Sequence, residues 1–362
     1  MIPVTKPYLP PREQYQEPID QVWARNWLTN NGPLVQKLEN RLKTYLDLPH
    51  LLFVGNGTVA LQIAIKTLEL QGKVITTPFS YVATTSSVVW EGCTPVFVDI
   101  DPNTLNIDPS KIETQVTEDT SAILATHCFG NPCDIDAIRD IANQHDLKVI
   151  YDAAHCFGTT YKGKSVFAYG DISATSFHAT KLYHTVEGGA VTTKDAALAD
   201  RMAYMRNFGH DGPAKFNGVG INGKNSEMHA AMGLCVLDAI DEILTRRKAQ
   251  CAYYNEQLAP LYLERPEPIE GACVNHAYYP VLFESHEALH AAMQALQAND
   301  ISPRRYFYPS LSSLDYVPEA DTPVSDDVAE RVLCLPLYHE ITKEEQHAVT
   351  QTIRTQSGGK LK

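Results

Sequence analysis

An α/β fold, with a mainly parallel central sheet in a large domain and a smaller C-terminal α+β domain, is what three observations predict. Short apolar runs alternate with helical patterns between residues 50 and 195. That alternation requires crossover connections and a sheet covered on both faces. A long helical stretch from Asn225 to Ala259 then precedes a Pro-rich remainder of mixed pattern. The chain of 362 residues exceeds one minimal core and suits a large domain plus a small one. The expected division is residues 1–244, with an N-terminal arm, and residues 245–362.

The elements follow in order. LLFV (51–54) reads as a buried strand and GTVALQIAIKTLEL (57–70) as a helix with apolar residues at helical spacing. KVITTP (73–78) is a strand, and SYVATTSSVVWEG (80–92) a helix ended by its Gly. TPVFVDID (94–101), SAILATH (121–127) and KVIYDAA (148–154) are strand-like. Asp134 opens an amphipathic helix over 134–146, and DISATSF (171–177) and GGAVTTK (188–194) complete the strands. Beyond the long helical stretch come a strand over 277–283 and a helix over 285–300, and the tail TQSGGKLK reads as frayed.

Charge and composition exclude some function classes. The net charge of -13, with no long basic run, argues against a nucleic-acid surface. No apolar run reaches about 18 residues, and the first residues lack an apolar signal core, so a cytoplasmic protein is expected. The eight cysteines are scattered without a CxxC pair and read as buried reduced thiols. Cys128 and Cys133 make poor zinc spacing, so no metal is expected.

Three motifs carry chemistry, each at a strand end. GNGTVA (55–60) formally matches a dinucleotide fingerprint. A ribose-binding acid should then end the next strand, which instead ends Thr76-Thr77-Pro78. A phosphate cradle fits better: Gly57 admits the backbone, Thr58 offers a hydroxyl and an amide, and the helix N-terminus favours a dianion. Alone, the motif also suits a plain tight turn. In DAAH (152–155), Asp152 closes a strand where α/β sheets place functional groups. A carboxylate buried there needs a cation, and a pyridinium nitrogen is one, although an Asp can equally cap a helix. His155 fits either a contact with a bound ring or a satisfied pocket histidine. In SFHATKLYHTVEGGA (176–190), Lys181 follows a strand end among small and apolar residues, where its ammonium is poorly solvated and its amine becomes nucleophilic. Ser176 stands ready to donate to a phosphate, and Gly188-Gly189 permits a tight return.

GNGT, TPFSYVAT, DAAH, SFHATK with EGG, and GINGKNSEMHAAMG together resemble the DegT/StrS family of fold-type-I, pyridoxal-phosphate (PLP)-dependent sugar aminotransferases. The likeness runs from TNNGPLVQKLE (29–39) to ERVLCLPLY (330–338). It implies that Lys181 links covalently to PLP, that Gly57, Thr58 and Ser176 hold its phosphate, and that Tyr81 stacks on its ring. Asp152 would pair with the ring nitrogen, with His155 beside it. Asn222 would reach the partner's phosphate across a homodimer with shared sites. The implied reaction moves an amino group from L-glutamate to a nucleotide-linked ketosugar, at C4 of dTDP-4-dehydro-6-deoxy-D-glucose. Lys224, Arg304, Arg305, Tyr306 and Tyr308 are candidates for the sugar nucleotide. Leu182 stands where the family often has Asn, Lys224 where it has Arg, and Ser312 where many members have His. A 3-position or UDP-ketosugar enzyme of the same family is the alternative, and an NAD(P)-dependent sugar dehydrogenase the more distant one.

Overall fold

The computed structural model describes residues 1–356. Its centre is a seven-stranded sheet. The strands are β1 (His50–Val54), β2 (Lys73–Thr76), β3 (Thr94–Phe97), β4 (Thr120–Thr126), β5 (Lys148–Asp152), β6 (Ile172–Ser176) and β7 (Gly189–Thr193). Their spatial order is β1-β7-β6-β5-β4-β2-β3. Every pair is parallel except the two that β7 makes, antiparallel to β1 and β6. The expected α/β class and mainly parallel sheet are therefore present.

Strand periodicity explains why the runs read as almost continuously apolar. Ile75, Ile123, Val149 and Tyr151 enter one core, while their neighbours Val74, Leu124, Ile150 and Ile172 enter another on the opposite face. The helices covering these faces start and stop on recognisable signals. Helix α3 (Gly57–Thr67) is opened by Asn56, whose side chain accepts from Val59 N. Helix α4 (Val82–Trp90) is followed by Gly92 at φ 82, a left-handed position that glycine adopts freely. Asp134 caps α5 (Ile135–Gln144) through Ala137 N. Two earlier helices, α1 (Arg12–Arg25) and α2 (Pro33–Leu46), pack on the later α7 (Glu227–Asp238). Helix α6 (Ala196–Arg206) packs on α3.

The long stretch expected to be helical is two helices. It breaks at Ala239, and α8 (Ile240–Leu258) restarts with Asp241 and Glu242 in its first turn, where a helix N-terminus favours carboxylates. Ile240 and Ile243 of α8 belong to the sheet's core, whereas Cys251, Tyr254 and Leu258 belong to a C-terminal core. The 244/245 division thus falls inside one helix. Around the C-terminal core lie β8 (Pro280–Leu282) paired with β9 (Val332–Cys334), and helices α9 (His286–Ala298), α10 (Pro323–Arg331) and α11 (Lys343–Gln356). The strand expected over 277–283 is shorter because Ala277 N is taken by the Asn275 side chain. The chain's start also joins this region, Ile2–Pro3 pairing in parallel with Ile301–Ser302. Of the tail, Thr355 and Gln356 end α11; residues 357–362 lie outside the described residues.

Among the described residues no helix is long and apolar enough to cross a membrane, and no cluster of three His, Cys, Asp or Glu could hold a metal ion. All eight cysteines are unpaired, and seven are buried; Cys273 is exposed.

Candidate active site

Two neighbouring strands end side by side and set the site. Asp152 is the last residue of β5 and sits opposite Ala174 of β6, which ends at Ser176. The segment leaving β6 folds back on itself, with Phe177 N bonded to Gly188 O, Thr185 N to Phe177 O and Lys181 N to His178 O. That closure returns Lys181 towards the strand ends. The start of α3 presses against the same place: a methyl on Gly57 would stand 2.9 Å from Ser176 Cβ. A methyl on Gly189 would stand 2.6 Å from the Asn56 carbonyl carbon. Gly189 is thus required by close approach, not by an unusual backbone angle.

These elements enclose a cavity of about 350 Å³. Of the residues expected from sequence, Gly57, Thr58, Tyr81, Asp152, His155, Ser176, Lys181, Arg304 and Tyr306 all line it. Four others do not. Asn222 is exposed, bridged by its backbone to Asn207. The Lys224 ammonium lies 4.5 Å from the Phe208 ring centre. Arg305 turns away to Glu330 Oε2 at 3.0 Å and Ala329 O at 2.9 Å, with its guanidinium 3.3 Å from the Tyr308 ring. The division within the run from Arg304 to Tyr308 follows from its extended start. Arg304 exchanges both backbone hydrogen bonds with Cys334, so adjacent side chains point to opposite sides. Ser312 donates to Asp326 Oδ1 at 2.7 Å and lies outside the cavity.

The charges are arranged for chemistry. Asp152 is buried, and burial pushes its carboxyl above the ordinary carboxylate range. Hydrogen bonds from Thr84 Oγ1 at 2.7 Å and Ala154 N at 3.1 Å oppose that rise, as does the charge of Lys181. Lys181 is lowered to about 8, first by burial; Asp152 acts against the shift and Arg304 with it. At pH 7 about one such amine in ten is uncharged, against roughly one in three thousand for an ordinary lysine. Lys181 Nζ donates to Tyr278 Oη at 3.4 Å. His155 Nδ1 accepts from Phe129 N at 3.2 Å, so its proton sits on Nε2. Burial, with Lys181 nearby, keeps this imidazole well below its usual pKa and hence neutral.

Several cavity or supporting residues were not anticipated. Thr84, Ser80 and Thr126 bond in series behind Asp152. The spacing of Ser80 and Thr84, one helical turn apart, was a signal for that pair. Tyr278 and Phe307 gave none, because they arrive from the C-terminal region. His155 lies between them, its ring centre 4.4 Å from Tyr278 and 5.6 Å from Phe307. A dinucleotide reading finds no ribose acid here: β2 ends at buried Thr76, buried Thr77 follows it, and Asp99 beyond β3 is engaged by α10.

The DegT/DnrJ/EryC1/StrS aminotransferase family profile matches residues 11–354. The chain is 41% identical over 358 residues to the dTDP-4-amino-4,6-dideoxy-D-glucose transaminase of Shigella dysenteriae, spanning 97% of this chain and 98% of that protein. It is 31% identical to the GDP-perosamine synthase of Escherichia coli O157:H7, over 97% of each. Among solved structures, DesI crystallised in the presence of its TDP-sugar product superposes with a TM-score of 0.93 at 36% identity, covering 99% of this chain and 94% of that one.

Proposed function

The chain belongs to the DegT/DnrJ/EryC1/StrS aminotransferase family, and we propose that it transfers an amino group from L-glutamate to C4 of dTDP-4-dehydro-6-deoxy-D-glucose, with PLP as cofactor. One observation carries the reading: a buried carboxylate and a half-buried amine of lowered pKa face one cavity from adjacent strand ends.

The residues fit the cofactor. Asp152 lacks a cation strong enough to offset its burial, and a protonated ring nitrogen is that cation. Gly57, the Thr58 and Ser176 hydroxyls and the first amides of α3 would hold the phosphate. Tyr81 would stack on the ring, and neutral His155 would donate its Nε2–H. When bound, PLP supplies an aldehyde carbon that carries the amino group and a ring that accepts electrons from the substrate carbon.

The protein's own groups handle protons and position. Lys181 would hold the cofactor, and its Nζ, when free, would serve as the base for the donor α-carbon proton. In the second half-reaction the same atom delivers a proton to C4 of the sugar. Its short tether from β6 keeps it within reach throughout. Arg304 would face the substrate's pyrophosphate. Asn222 is exposed and lies outside this chain's own cavity, where it would be free to reach the neighbouring site in a homodimer. The likeness at 41% identity to a dTDP-4-amino-4,6-dideoxy-D-glucose transaminase, and at 36% to DesI crystallised in the presence of its TDP-sugar product, favours a dTDP-linked substrate over UDP.

The purified protein with PLP is expected to be yellow and to bleach on adding L-glutamate, and Lys181→Ala to hold PLP loosely without turnover. Unchanged activity in Lys181→Ala would exclude the mechanism. Turnover of dTDP-, UDP- and 3-keto sugars, with NMR of the aminated carbon, tests the substrate.

A further inference from the structure

Asp152 is held from behind by hydroxyl groups whose order of donation is fixed. Thr84 Oγ1 lies 2.7 Å from Asp152 Oδ2. An ionised carboxylate only accepts, so Thr84 donates. With its one proton committed, Thr84 Oγ1 must accept from Ser80 Oγ at 2.7 Å. Ser80 must then accept from Thr126 Oγ1, 2.9 Å away at the end of β4. Thr84, Ser80 and Thr126 are 0%, 2% and 4% exposed, so these hydroxyls bond mainly to one another, although Ser80 and Thr126 border the cavity. Each link polarises the next in such a chain.

We infer that Thr84 is a positioning residue for Asp152, the last link of a one-way donor chain from Thr126 through Ser80 that keeps the carboxylate ionised and immobile to meet a cationic ring nitrogen. This rests on the cofactor reading above. The chain spans three elements: Thr126 ends β4, Ser80 sits in the turn before α4, and Thr84 is in the first turn of α4. A shift in any of them would therefore reach the carboxylate.

The test uses cofactor-free full-length protein titrated with PLP from pH 5 to 9, with affinity read from the visible band and folding from circular dichroism. Thr84→Val removes the donor and preserves shape. It is expected to weaken PLP binding about 10- to 100-fold, the worth of a hydrogen bond to a charged group. Its acid limb should also move to higher pH, since an Asp152 without that donor takes up a proton sooner. Thr84→Ser should restore both, while Ser80→Ala and Thr126→Val lose progressively less. Wild-type affinity with an unmoved limb in Thr84→Val, while Asp152→Asn weakens binding, would overturn the inference and leave the cofactor reading intact. So would a loss that Thr84→Ser fails to restore, or losses in the reverse order. A wild-type protein that captures no PLP would overturn the cofactor reading itself.

Discussion

Lys181 sits between two charges that pull its amine in opposite directions. Asp152 favours the ammonium, Arg304 disfavours it, and burial outweighs both. The rate of reductive methylation of Lys181 in cofactor-free protein, followed by peptide mass spectrometry, should rise with pH through an inflection at about 8. Asp152→Asn should move that inflection to lower pH and Arg304→Gln to higher pH; movement in the same direction would contradict the electrostatic account. Asp152, Ser176 and Lys181 were legible in the sequence because the first two close neighbouring strands and the third follows the second of them. Tyr278 was not, since it reaches Lys181 Nζ from 97 residues away. Arg304 and Arg305 looked equivalent until the bridge to Cys334 set their opposite directions.

At the scale of elements, periodicity made most helices and strands legible, but not how some helices are capped. The N-cap residues of α2 and α10, Gly32 and Thr322, provide no side-chain cap. Distant carboxylates take that role. Glu227 accepts from Leu34 N and Val35 N, both at 2.9 Å. Asp99 accepts from Val324 N at 2.9 Å and from Ser325 N and Oγ at 2.8 and 2.7 Å. Burial raises the Asp99 carboxyl, yet the bonds from Ser325, Val324 and Ile100 outweigh it and the net shift is down. A lowered folded-state pKa stabilises fully above the unfolded value near 3.9 and is lost as pH falls through the folded value. Asp99→Asn should therefore cost about 2 kcal/mol at pH 7 by urea unfolding and less at a pH below the ordinary carboxylate range. An equal cost at both pH values would refute the charged cap.

For the molecule as a whole, the cavity draws Lys181 and Asp152 from the sheet and Arg304, Tyr306 and Phe307 from the C-terminal region. The sequence made the α/β class legible through its alternation. It did not reveal that α8 would thread both cores, because a continuous helical pattern carries no mark of a change in packing partner. The proposed homodimer has a sharp consequence. Lys181→Ala and Asn222→Ala chains, each impaired alone, should regain close to half the wild-type activity per heterodimer when co-expressed, since one of the two sites then combines an intact lysine with an intact asparagine. Heterodimers with no more activity than either parent would argue against shared sites.

The distribution of sulfur has a practical corollary. The seven interior thiols are sealed from reagents, and those at positions 128, 133, 156, 251 and 334 are held strongly protonated by burial. Air oxidation during storage can then join folded copies only through Cys273, yielding one defined covalent species that a reductant dissolves instead of a heterogeneous cross-linked mixture.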